Sequence, residues 1–138
     1  MEVLREFLEF IEYSKPQPVG ELLRRVLLKS RRLTGAEAGT VFIVRGRGKE
    51  RRLEAANTQN DALAIERADF VVPVNTRSIA GYTAATAETV FVADLYAIPE
   101  QLPFRFDHSF DREHGYRSRS MLSFPLLNHE RKVIGVVQ

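Results

Sequence analysis

The sequence predicts an α+β domain built on a mainly antiparallel sheet, with helices on one face and loops on the other. Three observations carry this. Apolar residues recur at helical spacing through two stretches at the start of the chain. Short β-branched and aromatic runs follow, separated by turn-forming residues. The last two runs flank a hairpin turn, which favours antiparallel pairing. At 138 residues, with 44% apolar and 28% charged side chains, the chain fits one domain with a core large enough to exclude disorder as its main state.

The elements follow in order. Leu4, Phe7, Leu8 and Ile11 are spaced i, i+3, i+4, i+7, so residues 3–13 read as an amphipathic helix. Ser14-Lys15-Pro16-Gln17-Pro18 ends it, because proline lacks an N–H and restricts its predecessor. A second helix is expected over residues 19–34. Leu22, Leu23, Val26, Leu27 and Leu33 form its stripe, Arg24, Arg25, Lys29, Arg31 and Arg32 surround it, and Gly35 caps it. Thr40-Val41-Phe42-Ile43-Val44 is a strand, residues 45–50 a turn with two glycines, and residues 52–56 the returning strand. Asn57-Thr58-Gln59-Asn60-Asp61 reads as loop. Residues 70–74 form a short strand, and Ser78 N-caps a helix over residues 79–87. Another strand covers residues 89–93. Residues 94–115 are irregular, with one short helix expected around residues 104–110. Residues 121–127 form a strand interrupted by Pro125, Asn128-His129-Glu130-Arg131 a hairpin turn, and residues 132–138 the last strand.

Composition excludes several function classes. Cysteine is absent, which removes disulfides, thiolate nucleophiles, cysteine-ligated zinc and thioether-attached chromophores. No apolar run approaches the roughly 20 residues of a membrane span. The acidic, amphipathic N-terminus is no signal peptide, so a cytoplasmic protein is expected. Twenty basic against 18 acidic side chains leave only +2. The basic run at residues 45–52 has no interleaved aromatics, so it reads as a solvated hairpin and no nucleic-acid partner is expected. No G-x-S-x-G, P-loop or H-E-x-x-H motif points to catalysis.

Six segments together resemble a GAF domain, the small-molecule sensing module of signalling proteins. They are Glu37-Ala38-Gly39-Thr40-Val41-Phe42, Ser78-Ile79-Ala80-Gly81-Tyr82-Thr83, Val92-Ala93-Asp94-Leu95-Tyr96, Gly115-Tyr116-Arg117-Ser118-Arg119-Ser120, Met121-Leu122-Ser123-Phe124-Pro125-Leu126 and Val133-Ile134-Gly135-Val136-Val137-Gln138. The form with Gly115-Tyr116-Arg117 and Asn128 is most similar to GAF domains of cyclic-nucleotide phosphodiesterases, bacterial cyclases and HD-type phosphohydrolases. The resemblance implies a twisted antiparallel sheet of about six strands. N-terminal helices would lie on one face, and a ligand pocket with a lid loop on the other. It also divides the chain: residues 1–15 as a signalling or dimerisation helix, and residues 16–138 as a GAF domain that is incomplete at its C-terminus. The resemblance implies that members commonly carry glycine where Ala87 stands, so a slightly different turn is expected there.

The same resemblance implies a site. Ser78, Ile79 and Ala80 open a helix whose free N–H groups and positive dipole end suit an anion; the alternative is a plain cap. Thr40, Asn57, Thr58, Tyr96 and Gln138 fall where such pockets place polar contacts. Tyr96 would stack on a base, and Asn57 and Gln138 would read its edge; the alternative for Asn57 and Thr58 is loop hydrogen bonding. Residues 104–114 become the lid, with Asp107, His108 and Arg112 closing over the ligand. Read without the family, Asp107, Asp111 and His114 would share a helix face, a solvated one without a metal-ligand motif. Noncovalent haem would have to use His108, His114 or His129. The absent cysteines exclude the sulfoxide-reducing and covalent bilin-binding branches. The expected ligand is a cyclic nucleotide or other small metabolite. The expected partners are a second copy, through the N-terminal helices, and a covalently linked output domain. The alternative is a scaffold domain whose pocket is filled by side chains.

Overall fold

The computed structural model describes residues 19–62 and 70–138. The amphipathic stretch at residues 3–13 lies outside them. Helix α1 (Val19–Thr34) leads into β1 (Ala38–Arg45), and a 3-10 turn (Gly48–Glu50) leads into β2 (Arg52–Asn60). Then come β3 (Val71–Pro73), α2 (Ile79–Thr86), β4 (Val90–Val92), α3 (Ser109–His114), β5 (Met121–Leu127) and β6 (Val133–Val137). The six strands form one sheet in the order β3-β2-β1-β6-β5-β4, and every pairing is antiparallel.

Strand alternation sorts the core onto two faces. Val41 and Val137 pack with Leu27 of α1, while Phe42 and Val136 pack with Leu53 and with Ala80 and Ala84 of α2. The two helices therefore cover opposite faces, which corrects the expectation of helices on one face only. A third cluster, Ile79, Val92, Leu95 and Phe104, extends the α2 side under residues 94–106. Thr83 and Ser123, both fully buried, share a 2.8 Å hydroxyl contact that pins α2 to β5.

Several expectations shift. Asn57-Thr58-Gln59-Asn60 is strand rather than loop, because β2 stays in register with β1 as far as Ala38↔Asn60. A bulge resets the register between Val41 and Phe42, leaving Ala56 as the extra residue. The short helix falls at Ser109–His114 instead of residues 104–110. There the Asp107 carboxylate accepts from the Ser109 N–H and hydroxyl, and the chain before it is extended, with Arg105 bridged to Ser78. Arg31 is buried at 8% exposure rather than lying around the stripe. Ala87 adopts a left-handed cap, the conformation glycine takes most readily, with φ 60° and its N–H bonded to the Thr83 carbonyl.

Candidate functional site

Ser78 N-caps α2, its hydroxyl accepting from the Gly81 N–H at 3.0 Å. Gly81 must be glycine, since a Cβ there would lie 2.6 Å from both the Pro73 and the Asn75 carbonyl oxygens. That close approach brings the first turn of α2 down onto the sheet beside a half-enclosed cleft of about 1050 Å³. The cleft lies at the end of the sheet where β1 begins and β2 and β6 finish. It runs from the α2 face to the flank of α1, where Leu27, Phe124 and Val137 line it.

The floor of the cleft is a polar row across three strands. Thr40 faces Thr58 in register, and their hydroxyls are 3.4 Å apart. On its other side Thr40 exchanges both backbone hydrogen bonds with Gln138, at 2.7 and 2.9 Å. Thr40 is two residues before Phe42, so the row shares the α2 face. The Gln138 Oε1 atom is buried without a hydrogen-bond partner. Ile79 and Ala80, whose N–H groups have no acceptor within the helix, stand on the cleft wall. Asp107 also lines the cleft, and its two bonds from Ser109 hold its carboxyl below the ordinary carboxylate range.

The structure thus brings Thr40, Thr58, Ser78, Ile79, Ala80, Asp107 and Gln138 together around one cleft. Four other expected residues lie off its wall. Asn57 is one residue from Thr58 and so on the α1 face. It lines a separate cleft of about 380 Å³ with Arg24 and Arg31, and its side-chain oxygen accepts from Gln59. Tyr96 is held away from the cleft: its hydroxyl donates to Asp111 at 2.5 Å, and the Arg117 guanidinium carbon stands 4.1 Å from its ring centroid. His108 packs edge-on against Tyr96 at 4.5 Å. Arg112 is exposed on α3.

Sequence reasoning missed the residues that hold this site in shape. Asp111, 3% exposed, accepts from Tyr96 and from both the N–H and the hydroxyl of Ser118 at 2.8 Å. Burial pushes its carboxyl up, but the Tyr96 and Ser118 donors, with His108 nearby, outweigh it and leave the pKa lowered. Arg31 donates to Gln59 and to the Glu37 carbonyl, both at 2.8 Å, and pairs with Asp61 at 2.6 Å. Its position four residues after Leu27 was a readable signal, because that spacing keeps it on the buried stripe. The Tyr116 hydroxyl donates to the Glu37 carboxylate across 79 residues of sequence. That bond, with burial and the charges of Glu37 and Asp111, pushes the phenol up to about 12. No local pattern announces such a pair. Among the described residues no cluster of His, Cys, Asp and Glu could hold a metal ion, and no helix is long and apolar enough to cross a membrane.

A six-stranded antiparallel sheet and a capped helix end beside a polar sheet terminus define the class of α+β domain to which this chain belongs. The chain belongs to the GAF domain family, which it matches over residues 18–138. It is 29% identical to a cGMP-specific 3′,5′-cyclic phosphodiesterase of Drosophila virilis, covering 96% of this chain and 15% of that protein. It is 28% identical to the Drosophila melanogaster protein of the same name, covering 96% and 12% respectively. The chain therefore spans only a small part of these relatives. In fold it is similar to the nlh2 GAF domain of A. aeolicus, with a TM-score of 0.68, 15% identity, and coverage of 99% of this chain and 75% of that one. It is also similar to the free methionine-R-sulfoxide reductase of Neisseria meningitidis, with a TM-score of 0.67, 22% identity, and coverage of 99% and 69%.

Proposed function

We propose that this domain is the small-molecule sensor of a longer cytoplasmic signalling protein, and that its ligand is a cyclic nucleotide. The observation that carries the reading is the unpartnered Gln138 Oε1 in the polar row with Thr40 and Thr58. A buried acceptor left without a donor costs about 1–3 kcal/mol, and a ligand N–H would recover it. A nucleobase edge brings such donors, and its phosphate brings the anion that the Ile79 and Ala80 N–H groups suit. The cleft volume is that of a small-molecule site. The cGMP-specific phosphodiesterases among the relatives make cyclic GMP the first compound to try.

We read the domain as binding rather than catalytic, since the chain has no cysteine for thiol chemistry. Tyr96, His108 and Arg112 stay in the proposal as residues that a closing segment would bring to the ligand, and Asn57 as one that would meet a ligand only from the neighbouring cleft on the α1 face. Residues 1–15 are proposed as the dimerising and signalling helix that leads toward an output domain, with residues 16–138 as part of the GAF domain. The scaffold reading has one feature in its favour, Phe91, 67% exposed on the edge strand β4. Calorimetric titration decides between them. Cyclic GMP or cyclic AMP is expected to bind, and Thr40→Val or Gln138→Ala to weaken it about tenfold, the worth of one hydrogen bond in a dry site. No heat with either nucleotide or with a metabolite panel refutes the sensing reading.

A further inference from the structure

The mouth of the cleft has two rims. Thr34 to Gly39, between α1 and β1, form one, and Tyr116 to Ser120, with Phe110, Glu113 and His114, form the other. The Tyr116–Glu37 hydrogen bond joins them. Each end of that bond is fixed independently. On the Tyr116 side, Gly115 takes φ +58°, the Tyr116 N–H donates to the Asp111 carbonyl at 3.0 Å, and the ring meets Phe110 at 6.2 Å. Asp111 in turn is held by Tyr96 and Ser118. On the other side, the Glu37 carbonyl accepts from Arg31 at 2.8 Å and from the Asp61 N–H at 3.0 Å. Two anchored rims are thus joined by an exposed bond, while Thr40 on the floor behind them is buried at 9% exposure. A single solvent-accessible bond between rigid anchors is the part of such an arrangement that breaks first.

We infer that the Tyr116–Glu37 bond is a clasp across the cleft mouth, and that its breaking controls access to the polar floor. Its biological meaning rests on the proposed sensing function, but its test needs no ligand. The chain has no cysteine, so one introduced thiol reports alone. With Thr40→Cys as the probe, modification by Ellman's reagent measures opening of the mouth. In that background Tyr116→Phe and Glu37→Ala are each expected to speed modification about tenfold, the factor of one hydrogen bond to a charged group. Glu37→Gln, which keeps an acceptor oxygen but loses the charge, is expected to fall between the parent and Glu37→Ala. Rates within twofold of the parent for both Tyr116→Phe and Glu37→Ala overturn the clasp. So does a modification rate that climbs with denaturant as steeply as global unfolding, because a local opening exposes little surface and responds weakly. Failure of the clasp leaves the nucleotide titration untouched, and failure of the titration leaves the thiol rates standing.

Discussion

Asp111 shows how a single residue shapes the site without facing the ligand. Its carboxylate is almost fully buried, which alone would favour the neutral form, yet three donors from Tyr96 and Ser118 converge on it. The charged form wins, so its pKa in the folded chain lies below the unfolded value of about 3.9. A depressed carboxylate pKa contributes stability that is fully present above the unfolded value and is lost as pH falls through the folded one. Asp111→Asn removes that charge and converts one oxygen into a donor facing donors. The expected outcome is a loss of about 1–3 kcal/mol at pH 7. Thermal melts between pH 7 and pH 2 should also show a shallower acid decline below pH 4 than in the parent. An unchanged acid limb would mean that Asp111 is not the group responsible. Residues of this kind were invisible in the sequence, where Asp111 read as one charge on a solvated face. Its partners at positions 96 and 118 reach it through tertiary contact, which no spacing rule encodes.

Among the elements, α2 was the most legible and also carries a correctable flaw. Ser78, the small residues after it and Gly81 announced a capped helix packed close to a sheet, and the contacts of Gly81 give the reason. Its far end departs from the rule. Ala87 sits at φ 60°, where a Cβ crowds the backbone and glycine is at ease. Ala87→Gly relieves that crowding at the cost of a more flexible unfolded chain, and the first effect is the larger. A gain of about 0.5–1 kcal/mol is expected, read as a rise of about 2–5 °C in the melting midpoint. A fall in the midpoint would show that the left-handed turn is not strained. The helix α1, the strand β1 and the hairpin at Asn128 were equally plain, because each has a period or a turn residue of its own. Asn128 Oδ1, for instance, caps the turn by accepting from the Glu130 and Lys132 N–H groups. The end of β2 and the position of α3 were not. Asn57-Thr58-Gln59-Asn60 has loop composition, and only pairing to β1 makes it strand. Helix α3 has six residues and no stripe, and starts where the Asp107 carboxylate accepts from the Ser109 N–H. Two placements in the candidate site follow from this: Thr58 faces the cleft and Asn57 does not, because a strand alternates and a loop does not.

At the scale of the whole molecule the fold divides into a rigid sheet and a segment draped over it. Strands β1 and β6 lie at the centre of the sheet, are paired on both sides, and hold Val41, Phe42 and Val136 at no more than 1% exposure. Residues 94–118 contribute one short helix and no strand; Leu95 and Phe104 anchor the first part in the core, and the rest is tied down by side-chain bonds at Asp111 and by Tyr116–Glu37. Opening free energy tracks buried apolar contact and ladder pairing, so the two parts should exchange amide hydrogens at very different rates. Amides of β1 and β6 are expected to exchange last, near the global unfolding limit, and those of residues 109–118 at least about a hundredfold sooner. If cyclic GMP occupies the cleft, protection should rise over residues 109–118 first, since those residues form its outer rim. It should then extend to residues 31–37, because Glu37 is bonded both to Tyr116 and to Arg31 of α1. That spread would couple the cleft to α1, because Glu37, the residue that closes the rim, is bonded through its carbonyl to Arg31 of that helix. Protection confined to residues 109–118, with none at residues 31–37, would mean that the cleft closes without informing α1.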